Sequence, residues 1–76
     1  MVTLMTKHLT VRVPKSEKTE FYNVLNDNKI NCTLKRGAVE VDGRSLIGVM
    51  AMDLEDGVVM SVDSLFDETL ISRWLA

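Results

Sequence analysis

Asp42-Gly43-Arg44-Ser45-Leu46-Ile47-Gly48-Val49-Met50-Ala51-Met52 is the stretch on which the reading of this chain turns. Asp42-Gly43 signals a turn, and Ser45 is a good helix N-cap because its hydroxyl accepts a backbone N–H of the first helical turn. The seven residues after Ser45 carry no charge, so the pattern predicts a short helix entered through a tight turn. A surface helix buries one stripe and leaves polar residues outside, whereas this one is apolar all round. Val49 and Met52, three apart, are placed toward a core. Leu46, Ile47 and Met50 then point elsewhere, because a domain this small cannot wrap a helix completely. They are expected to form an exposed apolar patch of the kind at which a protein partner docks. Burial of the helix by self-association or by a neighbouring loop is the alternative.

Working outward, His8 to Val13 alternates, with Leu9, Val11 and Val13 on one side and His8, Thr10 and Arg12 on the other, as in a half-buried strand. Pro14 stops it. Ser16 is the expected N-cap of a first helix, with Glu17 and Glu20 in the turn where the helix dipole favours acids. Phe21, Val24, Leu25 and Asn28 share one face of that helix, and Asn26-Asp27-Asn28-Lys29 ends it. Ile30 to Lys35 alternates again, with Ile30, Cys32 and Leu34 inward. Arg36-Gly37 permits a reversal into a hairpin arm in which Val39 and Val41 alternate with Ala38 and Glu40.

Beyond the central helix, Glu55-Asp56-Gly57 forms a turn, and Val58, Met60 and Val62 alternate with Val59 and Ser61 in a fourth strand. Ser64 is read as the start of the last helix, with Asp67 in a capping-box-like position and Phe66, Leu70 and Trp74 recurring every four residues. The order βαββαβα predicts an α+β fold. Four strands polar on one side and three helices each with an apolar stripe fit a four-stranded antiparallel sheet with the helices on one face. The other face would be wet, carrying His8, Thr10, Arg12, Thr33 and Ser61.

At 76 residues the chain is read as one domain, 1–76, with a core near the minimum for independent folding. A formal charge of −2 with singly scattered Lys and Arg gives no basic field for nucleic acid. The single cysteine, Cys32, excludes an internal disulfide, and no Cys-x-x-Cys or His-x-x-x-His spacing suggests a metal. Met1 to Lys7 lacks the pattern of a secretion signal, and no stretch approaches the roughly twenty apolar residues of a membrane span. A cytoplasmic protein without a membrane partner is the expectation.

Arg44-Ser45-Leu46-Ile47-Gly48-Val49-Met50, followed by Glu55-Asp56-Gly57-Val58-Val59, resembles the HPr-like family, the small phosphocarriers of the bacterial sugar phosphotransferase system. There a Lys-Ser-Ile-Met-Gly-Val-Met type of segment opens the second helix and a Gly-Thr-x-Val type of segment starts the last strand. The resemblance runs without a gap from about Phe21 to the end of the last helix, mostly as pattern outside the central helix. It implies an open-faced sandwich with the fourth strand between the first and second. The family carries its phosphoryl group on a histidine in a Gly-Leu-His-Ala-Arg-Pro segment, where this chain has Pro14-Lys15-Ser16-Glu17-Lys18-Thr19. The histidine, its companion arginine and about four residues of the phosphate-cradling loop are missing by this alignment. Phosphoryl carriage needs a nucleophilic imidazole held near phosphate donors, so the chain is read as a non-enzyme.

His8, the only histidine, is read as a solvated strand residue, Cys32 as a buried unreactive thiol, and Asp53-Glu55-Asp56 as a solvated turn without the spacing of a calcium loop. As an N-cap Ser45 has a sufficient structural role. The resemblance implies a second one, because in HPr and its histidine-lacking regulatory paralogue the matching serine is phosphorylated by a dedicated kinase, creating a form that binds a transcriptional regulator through the same helix. The reading is a regulatory protein-binding module in which Leu46, Ile47 and Met50 contact the partner and Ser45 modulates the contact. The partner is then a transcriptional regulator or a phosphotransferase-system protein, and no cofactor is implied. The alternatives are a carrier that moves phosphate from a non-standard residue, foremost His8, and a divergent self-associating member unrelated to sugar transport.

Overall fold

Alternating apolar residues produce four strands: β1 (Thr6–Val11), β2 (Cys32–Arg36), β3 (Val39–Asp42) and β4 (Val58–Asp63). These come from a computed structural model, which describes residues 5–76. The reading of Met1 to Lys7 thus falls partly outside the described residues. Every pairing is antiparallel, in the order β1-β4-β2-β3, so β4 lies between β1 and β2. Two α-helices, α1 (Lys18–Asp27) and α2 (Leu46–Ala51), and a C-terminal 3-10 helix (Glu68–Trp74) complete the fold.

All three helices cover the same face of the sheet. Val11, Leu34, Val58, Met60 and Val62 from the strands, Phe21 and Leu25 from α1, Val49 from α2, and Ile71 and Trp74 from the 3-10 helix form one buried cluster. Trp74 meets Phe21 edge to face, with centroids 5.2 Å apart at 88°, a favoured geometry for paired rings. Its indole N–H donates to Glu17 Oε1 at 3.1 Å. Among the described residues nothing covers the opposite face. His8, Ser61, Thr33 and Asp42 stand there in one register row across all four strands.

Several boundaries differ from the sequence reading. β1 runs over Thr6–Val11 rather than His8–Val13, because the chain leaves the sheet at Arg12, whose N–H donates to Trp74 C=O at 2.8 Å, and Val13 N–H turns to Leu54 C=O at 2.9 Å. Ser16 is not an N-cap. It lies inside a 3-10 turn (Lys15–Glu17) that follows Pro14, and α1 begins after Glu17 without a side-chain cap. Ile30 is buried but precedes β2. Val39 is 58 % exposed, because β3 is an edge strand with no described element beyond it.

The last helix departs most from expectation. Its N-cap is Asp67, whose carboxylate accepts from Thr69 N–H at 3.0 Å, not Ser64. The segment kinks at Ile71, whose backbone is non-helical (φ −124°, ψ 20°), and the break turns Ile71 and Trp74 inward while Leu70 is exposed. The spacing of four through Phe66, Leu70 and Trp74 therefore does not define its inner face.

Candidate protein-docking site

α2 is held from both sides, and its position decides which of its apolar residues reach solvent. Ser45 caps it as the sequence predicts, its hydroxyl accepting from Gly48 N–H at 3.2 Å. Asp42 supports the entry: Oδ1 accepts from Arg44 N–H at 2.9 Å and its carbonyl accepts from Ser45 N–H at 3.0 Å. Gly43 fits under this turn only because it lacks a side chain, since a Cβ there would lie 2.3 Å from Cys32 Sγ.

At the other end Lys18 reaches across from α1. Its ammonium donates to Met50 C=O at 3.0 Å and to Met52 C=O at 2.6 Å, satisfying carbonyls that the end of a helix leaves without internal partners. Arg36 fastens the loop beyond, bridging Asp53 at 2.9 Å and Asp56 at 3.0 Å. The backbone hydrogen bond from Glu55, then Arg36, hold the Asp53 carboxyl below the ordinary aspartate value.

Helical geometry then sorts the side chains. Taking Val49 as the inward direction, Met52 lies about 60° to one side and Leu46 about 60° to the other, with Met50 about 100° and Ile47 about 160° away. Val49 and Met52 are buried as expected. Ile47 is 84 % exposed and Leu46 51 % exposed. Met50 corrects the expectation: it is half-buried and packed against the core, because its side of α2 faces α1, where Lys18 binds its carbonyl. The opposite side meets β3, where a Cβ on Gly48 would lie 3.1 Å from Val41 Cβ. The exposed apolar surface of α2 is therefore centred on Ile47 and flanked by Leu46.

The other residues singled out by sequence lie apart from this surface. His8 and Ser61 are bonded on the uncovered face, Nδ1 to Oγ at 2.8 Å, beside an open depression lined by Lys35, Gly37, Glu40 and Val59. Cys32 is buried; burial first, and then the charge of Asp42, push its thiol up to about 11, which keeps it protonated and unreactive at neutral pH. Among the described residues no group of three or more His, Cys, Asp or Glu converges in a metal-binding arrangement. Nor is any helix there long and apolar enough to cross a membrane. Lys18 is the residue that sequence reasoning missed. It lies 32 positions from Met50, and no local pattern announces such a cap.

No protein-family model, curated protein or solved structure matches this chain.

Proposed function

We propose that this chain is an HPr-like regulatory module that has no phosphocarrier histidine and binds a protein partner through α2. The observation that carries the reading is the near-complete exposure of Ile47, two residues after the N-cap Ser45, within the segment Arg44–Met50 that resembles the family. A large aliphatic side chain held out by a pinned helix is a natural anchor for a partner pocket. The strand order β1-β4-β2-β3 and the three helices on one face support the same resemblance.

In this reading Leu46 and Ile47 make the principal contact and Met50 supports it from below. Ser45 is the regulatory site for a serine kinase, the partner is a transcriptional regulator or a phosphotransferase-system protein, and the location is cytoplasmic. Phosphate at Ser45 would add about two negative charges beside Leu46 and Ile47. That favours a partner with an arginine next to an apolar pocket and disfavours one with an acidic rim.

The test compares capture of cytosolic proteins by the native chain, Ile47→Asp and Ser45→Asp, with His8→Ala as control. A partner retained by the native chain and by His8→Ala but lost with Ile47→Asp supports docking through α2. Equal capture by all four ends the reading. The carrier alternative is separated by incubation with phosphoenolpyruvate and the first enzyme of the phosphotransferase system. The expected result is no acid-labile phosphate, since His8 sits on an open sheet face with the Ser61 hydroxyl as its polar partner rather than in a cradle of backbone donors.

A further inference from the structure

Among the described residues β3 is a free edge of the sheet, and the alternation of its ladder determines what it offers. Gly43 N–H donates to Cys32 C=O at 2.9 Å. In an antiparallel ladder residues take turns in facing the partner strand, so Val41 and Val39 also turn their backbone groups toward β2. The N–H and C=O of Glu40 and the N–H of Asp42 therefore point away from the sheet, while Asp42 C=O already accepts from Ser45. The opposite edge is partly covered: Leu75 bridges Val11, and Ala76 N–H donates to Thr10 C=O at 2.9 Å. An uncovered edge is a template for an added strand.

The side chains around the β3 edge select the occupant. Glu40 and Asp42 are exposed on the open face, and neither forms a salt bridge among the described residues. On the other face Val39 is half-exposed and the Gly48 side of α2 lies against Val41. A second copy pairing antiparallel through β3 would set four carboxylates against one another, and like charges directly opposed across a ladder are destabilising. A strand with lysine or arginine on the carboxylate side and valine, isoleucine or leucine on the helix side matches both faces. From this we infer that the β3 edge binds an extended protein segment of alternating basic and apolar residues, added antiparallel as a fifth strand. The inference rests on the reading of this chain as a protein-binding module and specifies the partner's chemistry.

The probe is a short synthetic peptide of alternating lysine and valine, blocked at both ends and titrated into the isotope-labelled full chain, with amide exchange followed residue by residue. The expected result is slowed exchange at the Glu40 and Asp42 amides. Glu40→Lys should weaken binding about fivefold and strengthen binding of an alternating glutamate–valine peptide by a similar factor. Absence of binding overturns the inference, as does binding that leaves both amides unprotected or equal affinity of the native chain for the two peptides. Protection at these amides without peptide, together with a dimer in solution, would assign the edge to a second copy and likewise overturn it. Because the peptide titration does not involve Ile47, no peptide binding by the native chain together with capture that is lost in Ile47→Asp marks failure of this inference alone, whereas peptide binding at the edge together with capture unaffected by Ile47→Asp marks failure of the α2 reading alone.

Discussion

Ser45, Gly43 and Cys32 show how much a single residue decides here. Ser45→Ala removes the acceptor for Gly48 N–H and should lower stability by about 1 kcal/mol, read from a urea midpoint. A phosphate at Ser45 should leave the domain folded, since it adds negative charge where the helix start favours it. Gly43→Ala should cost more, about 1–3 kcal/mol, because its Cβ would meet Cys32 Sγ at 2.3 Å. The Cys32 thiol, pushed up to about 11, should resist alkylation at pH 8 in the native chain and react readily in denaturant; rapid native labelling would contradict its burial. Asp53 and Asp67 both titrate below the ordinary aspartate value. Asp53 is held there by the Glu55 backbone and then Arg36, Asp67 by the Thr69 hydroxyl and then its N–H. Their contribution to stability is complete above the unfolded aspartate value and is lost as pH falls through the lowered ones.

At the level of elements, α2 and the 3-10 helix depend on contacts from far away in the chain. α2 spans only six residues, too few for an isolated helix in water, and Lys18 supplies the partner for its last carbonyls. Lys18→Met keeps the aliphatic stem and removes the donor. It should cost about 1–2 kcal/mol and speed amide exchange through Leu46–Ala51 while leaving β4 protected. The kinked 3-10 segment offers a test of its inward face. Ile71→Ala should destabilise by about 2–5 kcal/mol, whereas Leu70→Ala should stay within about 0.5 kcal/mol, the reverse of what a spacing of four from Phe66 implies. Denaturation of the two variants side by side decides which of the two residues faces the core.

Across the whole molecule, Trp74 ties the C-terminal segment to both α1 and the β1 edge. It packs on Phe21, its indole N–H donates to Glu17, and its carbonyl accepts from Arg12 N–H. Trp74→Ala should cost about 3–5 kcal/mol, a large share of the roughly 4–11 kcal/mol expected for a domain of this length, so the variant should be partly unfolded at 37 °C by circular dichroism. The sequence by itself determined the order of elements, the inward faces of β2 and β4, the Ser45 cap and the burial of Val49 and Met52. Each of these is a local matter, set by residues within one turn or one pleat of each other. Tertiary structure alone decided that Lys18 would cap α2, that Met50 would be covered by the α1 side while Ile47 stayed exposed, that Val39 would lie on an edge with no described element beyond it, and that the last segment would kink and bury Ile71 and Trp74. The physical reason is that periodicity gives the angle between side chains on one element, whereas burial depends on which other element comes to lie against each angle, and that is settled only when the whole chain packs.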